Sequence, residues 1–489
     1  GHRMIPSRRS FLMGAAVLSA TVTTPDLVRA AQAAASIPDW ALATGDIEAD
    51  IAPRAMRLVE GRAPAGLEGV LYRNGPAKFR RPGGSARHWF DGDGLVRRFS
   101  VRGDRVELAA RFVDTRKRRQ EERLGAMVMP GFGTPPDPRA EISSPDDANA
   151  ANTSVLMAGD RLWALWEGGS PVAMNPQTLE TEGYVTLRSD LRAMPFLAHP
   201  RIEPGGRIWN LGMGGDQAIV WRLSPDGTLE DASVIELPRA SYVHDFTATE
   251  RHLILVLQPW VRERQTMPFA DGFAWRPETG NQILVVDKDN LTRRRIFETE
   301  AFGFFHLGDA WTVGDDILFD VALHQDMDFA ARGASEVVEG VPLDGEPARL
   351  GLIRLKADGT TELTRLPVVA EFPRSDPARA GLSRRLSVHT TGENRETPFA
   401  RAIGVTDWAS GQTRAFDFGA DHVVDEMIYV AKPGAQTEAD AWLVGPSLNL
   451  AERATELHVL DVARLGDGPV ATWRADVALP AAFHGTWAG

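Results

Sequence analysis

Four histidines in this 489-residue chain stand in or beside short apolar runs: His199 before Pro200, His244 before Asp245, His306 behind Phe304 and Phe305, and His484 after Phe483. Runs of that kind are buried on folding and carry their imidazoles inside with them. The last is the most telling. Chain termini ordinarily fray, yet Ala481 to Trp487 is apolar enough to tuck into the protein, and His484 then needs partners. Imidazole is a preferred ligand of zinc, copper, iron and nickel, so four of them gathered from across the chain would make a metal site. A single buried histidine is more often a hydrogen-bonded core residue. The reading therefore depends on a fold that makes all four converge.

Composition narrows the chemistry. The chain has no cysteine, which excludes disulfides and thiolate ligands and leaves any transition metal to histidines and carboxylates. A net charge of −12 without a long basic run disfavours a nucleic-acid surface. At the N-terminus, Ser7-Arg8-Arg9-Ser10-Phe11-Leu12, the apolar stretch Met13 to Val22 and the alanine-rich residues to Ala35 read as a twin-arginine export signal. The apolar stretch is too short to span a bilayer, and Ala31 and Ala33 offer a cleavage site. Residues 1–3 before Met4 read as an expression remnant. The expectation is a periplasmic protein with a leader over 1–36 and one domain over 37–489.

The elements that must bring the histidines together read as strands. Gly69 to Tyr72, Leu162 to Trp166, Leu253 to Leu257, Ile283 to Val286, Ile317 to Val321, Leu352 to Leu355 and Leu457 to Leu460 are strand-length apolar runs, and helical periodicity is scarce. A weak repeat appears in the turns Met174 to Leu179, Ser224 to Leu229, Asp287 to Thr292, Lys356 to Thr360 and Trp408 to Thr413. Their spacing, roughly 50 to 70 residues, suits one four-stranded blade with insertions, so the chain is expected to be an all-β propeller rather than an array of sandwiches. Two segments break the rhythm, near 116–149 and 262–276, and are expected to lie over one face. A propeller directs its innermost strands to one axis. Residues hundreds of positions apart then meet there, as His199, His244, His306 and His484 would.

A set of ordered motifs adds a resemblance: Tyr72-Arg73-Asn74-Gly75-Pro76, His88-Trp89-Phe90-Asp91-Gly92-Asp93-Gly94, Ala164-Leu165-Trp166-Glu167-Gly168-Gly169, Ala198-His199-Pro200, His244-Asp245-Phe246, Phe305-His306, Glu371-Phe372-Pro373 and Phe483-His484-Gly485. Together, from about residue 50 to the C-terminus, they resemble the carotenoid cleavage oxygenase family. The resemblance implies a seven-bladed β-propeller with a helical and loop cap over one face, holding one non-haem Fe(II). His199, His244, His306 and His484 would be its ligands. Glu167, Glu371 and Glu426 would orient His244, His306 and His484 through their second ring nitrogens, and His199 would have no carboxylate. His88 reads as structural, and His252, His324, His389, His422 and His458 as surface or packing residues.

The implied reaction is oxidative cleavage of a carbon–carbon double bond by dioxygen to two carbonyl products, with no side-chain acid or base required. The implied partners are dioxygen and a small apolar alkene, either an apocarotenoid or a stilbene or phenylpropene. Trp166, Phe196, Tyr242, Phe304, Phe305, Trp311 and Phe483 flank the histidines and are expected to line an apolar tunnel. Stilbene cleavers of the family typically carry a lysine where this chain has Trp166, and the segment His306 to Trp311 departs from the usual Asn-Ala-Tyr ending. Met127 to Phe132 suggests peripheral membrane contact. The alternative from another class is a non-catalytic ligand-binding periplasmic propeller, which would hold no iron.

Overall fold

The computed structural model describes residues 37–393 and 397–489; the export signal expected over 1–36 lies outside the described residues. Five four-stranded antiparallel sheets follow one another along the chain. The first contains Ser154–Ala158, Arg161–Leu165, Val172–Met174 and Thr181–Tyr184. The next four run over 201–236, 247–299, 311–369 and 371–417. A sixth sheet of ten strands joins the two ends of the chain. The result is an all-β, propeller-like arrangement.

Every turn of the weak sequence repeat joins the third strand of a sheet to its fourth. Leu223 pairs with Leu229, Val286 with Arg294, Leu355 with Thr361 and Asp407 with Gln412 across those turns. The turns at Gly159, at Gly205-Gly206 and at Gly314 join first strands to second. Gly159 and Gly314 there have φ of 61° and 60°, a left-handed conformation that glycine adopts without a Cβ clash.

The core lies between successive sheets. Leu253, Leu255 and Leu257 pack toward Trp209, Leu211 and Val220 of the sheet before. Ile254 and Val256, pointing the other way, pack against Phe319, Val321 and Ile353 of the sheet after. A strand covered on both faces must be apolar at every position. That is why Leu253 to Leu257 shows no alternation.

Ring closure is made by the chain ends. His484–Ala488 pairs with Glu68–Pro76, placing His484 opposite Asn74 and Val70 opposite Ala488. Ile51–Gly61 pairs with both Arg105–Phe112 and Pro469–Arg474, which makes the sixth sheet continuous.

Both expected insertions lie over the cavity described below, and they clasp each other. Phe269 and Ala270 donate backbone hydrogen bonds to the Gly131 and Phe132 carbonyls (3.1 and 2.9 Å). The first insertion contains the helix Arg116–Leu124. Asp91 anchors it by accepting from the Phe132, Gly133 and Thr134 amides. A helical segment over 329–338 completes this layer, and His88 ties it down through the Ala330 carbonyl (2.8 Å). The stretch Met127 to Phe132 is largely buried. Met127 clusters with Trp40, Phe79 and Trp89 and Phe132 with Tyr242 and Trp260, whereas Val128 and Met129 pack within the insertion beside Leu124, Ala126 and Ile142.

The closing strand leaves no room beside the ligand it carries. A Cβ on Gly485 would meet the Tyr72 carbonyl and stand 2.6 Å from Arg73 Cδ. Gly485→Ala is expected to destabilise the metal-free protein by about 1–3 kcal/mol, read as a lower thermal midpoint. An unchanged midpoint would show that the closing strand shifts freely.

Candidate metal centre

The four histidines of the sequence reading come from four separate parts of the chain. Each lies just before or on the first residue of an inner strand: His199 before Arg201–Ile202, His244 before Thr247–Ala248, His306 before Trp311–Val313, and His484 opening His484–Ala488. Inner strands converge, so their leading residues meet. One ring nitrogen from each of the four lies within 4.8 Å of the others. The His199 and His244 Nε2 atoms approach to 3.1 Å, and the His199 and His484 ring centroids lie 4.2 Å apart.

Three rings are held from behind. His244 Nδ1 donates to Glu167 Oε1 (2.7 Å), His306 Nδ1 to Glu371 Oε2 (2.6 Å) and His484 Nδ1 to Glu426 Oε2 (2.9 Å). A proton fixed on Nδ1 leaves the Nε2 lone pair free, the tautomer a metal requires. No carboxylate contacts His199 among the described residues.

The carboxylates are themselves positioned. Tyr242 donates its hydroxyl to Glu167 Oε2 (2.8 Å). His324, expected to be a surface or packing residue, instead lines the cavity and donates through Nε2 to Glu371 Oε1 (3.0 Å). Buried Arg73 and the Gly485 amide both donate to Glu426 Oε1 (3.0 Å each). Phe372, at φ 53°, turns the chain so that its own amide caps Glu371 while its ring packs against His306 and His484. A non-glycine residue in that region is strained, and such strain persists where surrounding structure enforces it.

Beneath the rings, Arg201 ties three histidine segments together. Its guanidinium donates to Asp245, Asp309 and the Phe246 and Leu307 carbonyls, at 2.7 to 3.1 Å. Asp245 in turn accepts from the Leu307 amide (2.8 Å). Sequence reasoning missed Arg201, although it lies two residues past His199 and Asp245 directly follows His244.

The electrostatics favour neutral rings at His199 and His484 and ionised carboxylates at Glu371 and Glu426. Burial, reinforced by the other three histidines, pushes His199 well below its ordinary range. Burial pushes His484 down to about 3, with Glu426 opposing. For His244 burial is outweighed by Glu167, and the shift is upward. Burial would raise Glu426, but Arg374, His484 and Arg73 hold it at about 2. Glu371 is held far below the carboxylate range, His306 and His324 overcoming its burial.

A metal fits this donor set. His306 Nε2 is buried and has no hydrogen-bond partner among the described residues, a cost that a metal bond removes. A second grouping, His422, Glu456 and His458, provides the contrast. There Ser447 hydrogen-bonds both rings (3.0 and 2.7 Å) and Thr472 takes the remaining His458 nitrogen (2.9 Å), so that grouping is a satisfied polar network.

His244, His306 and His484 open onto a cavity of about 1050 Å³. Trp166, Tyr242, Phe305 and Phe483 line it. Phe196, Phe304 and Trp311 do not: Phe196 packs with Trp163 and Trp221, Phe304 packs with Phe302 in the core between sheets, and Trp311 lies under the Arg384 guanidinium. Phe90, Phe132, Phe269, Phe273 and Phe329 line the cavity instead. Three of these, Phe132, Phe269 and Phe273, belong to the expected insertions.

Comparison with known proteins gives a consistent picture. The family model described as retinal pigment epithelial membrane protein matches residues 45–489. The apocarotenoid-15,15'-oxygenase of Synechocystis is 29% identical over 466 residues, covering 88% of this chain and 92% of that protein. The lignostilbene-alpha,beta-dioxygenase isozyme III of Sphingomonas paucimobilis is 27% identical over 466 residues, covering 88% and 93%. The structure of the cobalt-substituted Synechocystis apocarotenoid oxygenase superposes with a TM-score of 0.82 at 26% identity, over 92% of this chain and 98% of that one.

Glu371→Gln keeps an acceptor for His306 and removes the charge that both His306 and His324 use. Iron(II) affinity is expected to fall about 10- to 100-fold, measured by anaerobic titration, with thermal unfolding as the control for folding. Unchanged affinity would mean that Glu371 does not hold a ligand.

Proposed function

The chain belongs to the retinal pigment epithelial membrane protein family, the carotenoid oxygenases, and we propose that it is an Fe(II)-dependent dioxygenase cleaving a C=C bond of a conjugated apolar alkene with O2 to give two carbonyl products. The observation that carries this reading is the meeting of four imidazoles, one with an orphaned buried nitrogen, at the wall of a large aromatic cavity.

His199, His244, His306 and His484 would hold the iron. When bound, Fe(II) supplies the activation of dioxygen beside an electron-rich alkene. Everything else falls to this chain. Glu167, Glu371 and Glu426 keep a proton on Nδ1 of their histidines and so keep Nε2 available. Trp166, Phe305 and Phe483 form apolar walls that hold a planar conjugated substrate near the histidines and exclude water. Glu371 and Glu426 stay ionised and engaged with histidines, so neither supplies a proton to the substrate.

Two substrate classes suit the family, apocarotenoids and stilbene- or phenylpropene-type aromatics. The cavity favours the first, since about 1050 Å³ exceeds what a single aromatic ring with a short side chain requires. Trp166 in place of a lysine also removes one phenol-binding group. Tyr242 does not replace it, because its hydroxyl is committed to Glu167.

The same reading extends to architecture. The ten-stranded sheet divides at Ile51–Gly61 into two blades, which with the five four-stranded sheets would make seven. The insertions and the 329–338 helical segment would form the cap, all within one domain over 37–489. The Ser7 to Leu12 motif supports export to the periplasm.

Protein purified without added metal is expected to contain near-stoichiometric iron and to consume dioxygen on an apocarotenal, with isoeugenol as the phenolic comparison. His306→Ala is expected to abolish both. No iron after anaerobic Fe(II) loading would replace this reading by that of a ligand-binding propeller.

A further inference from the structure

One cation in the cavity wall has no use in the account above. Arg262 ends the strand Trp260–Arg262, opposite Phe273, and lines the cavity in a half-buried position. Among the described residues its guanidinium has no carboxylate or other acceptor. Its neighbours differ. Arg276 pairs with Glu263, Arg264 donates to the Asp271 carbonyl, and Arg332, also in the cavity wall, pairs with Asp328, Glu336 and Asp344. Burial lowers the Arg262 pKa with no acidic group to offset it.

Its place relative to the metal centre follows from register. The Arg262 amide donates to the Ala240 carbonyl, and the Tyr242 amide to the Trp260 carbonyl (2.9 Å each). Ala240 to His244 spans four residues, at most about 13 Å of extended chain. Arg262 thus flanks the same cavity as the histidines but stands apart from them, with Tyr242 between.

A wholly apolar ligand filling this cavity would strip water from Arg262 and return nothing, a cost borne by the complex. A ligand bearing a carboxylate would meet the guanidinium with two parallel charge-assisted hydrogen bonds. The same residue therefore attracts one class of substrate and penalises the other.

We propose that Arg262 makes this protein selective for alkenoic acids, holding the carboxylate of a conjugated substrate whose double bond lies at the four histidines. The proposal rests on the alkene-cleaving reading of the site and names its substrate class.

The test compares an apocarotenoic acid with the aldehyde of the same chain length. Binding of each to the iron-loaded protein is followed anaerobically by quenching of tryptophan fluorescence, so that turnover does not intervene. The wild type is expected to bind the acid about 10-fold or more tightly than the aldehyde. Arg262→Met should weaken the acid about 10- to 100-fold while leaving the aldehyde unchanged or tighter, and Arg262→Lys should retain part of the preference. Equal affinities in the wild type, no binding of either, or parallel weakening of both in Arg262→Met overturns the proposal. Admitting air then tests the chemistry separately. An acid preference dependent on Arg262 without dioxygen uptake leaves Arg262 as an acid-binding residue and removes the alkene-cleaving reading.

Discussion

The pairing of the last strand with one near the start of the chain is the constraint from which the site follows. His484–Ala488 lies on Glu68–Pro76, and this contact does two jobs at once. It closes the ring of sheets without a covalent link, and it delivers the fourth imidazole. Arg73 stands at the junction. Wholly buried, it faces Gly485 across the ladder, donates to Glu426 and stands 3.4 Å from Asp425. A buried arginine of this kind is tolerable only because carboxylates surround it. The same carboxylates then serve His484 through Glu426 and the Ala482 amide through Asp425. Closure and metal binding therefore share one hydrogen-bond network.

Arg201 plays the corresponding part on the opposite side. It connects the segments that follow His199, His244 and His306, and Asp309 carries the connection on by accepting from the Ser375 hydroxyl (2.6 Å), four residues past Glu371. Burial opposes its charge, but Asp245 and Asp309 more than offset that. The positions of three histidines are thus set by polar contacts one layer below the rings. The rings themselves need only point inward. Such a layer explains how loops of several sheets hold a common geometry although backbone hydrogen bonds within each sheet do not link them.

Much of this was legible in the sequence, for identifiable reasons. The repeated turns were visible because hairpins need residues that tolerate particular backbone angles, and Gly227, Gly359 and Gly411 stand at positive φ where the repeat places them. The four histidines were visible because each is in or beside an apolar run, and Glu167 and Glu371 because the motifs around them resemble those of a family, which Asp425-Glu426 matches only loosely. What was not legible was facing. Phe304 and Phe305 are adjacent and alike, yet at the bend before His306 Phe305 enters the cavity and Phe304 the core between sheets. Flanking a ligand in sequence says little about which side a ring takes. The 329–338 segment escaped notice because it is short and lacks a long amphipathic period. The roles of His324, Tyr242 and Arg201 escaped because each depends on a partner at least 44 residues away.

These contacts also bear on how the protein tolerates its own metal centre. Four imidazoles brought together out of water are costly, most visibly at His306 Nε2. Yet the supports of the rings do not pass through the metal. Glu167, Glu371 and Glu426 hold their histidines by Nδ1, and Arg201 and Arg73 hold the backbone around them. The cost at the centre is local, whereas the core that offsets it is spread between every pair of adjacent sheets. Supports of this kind do not require the metal and favour a site arranged before it binds, in contrast to small domains whose structure exists only with metal bound. A site built in this order can meet its metal already arranged, which lowers the reorganisation that binding requires.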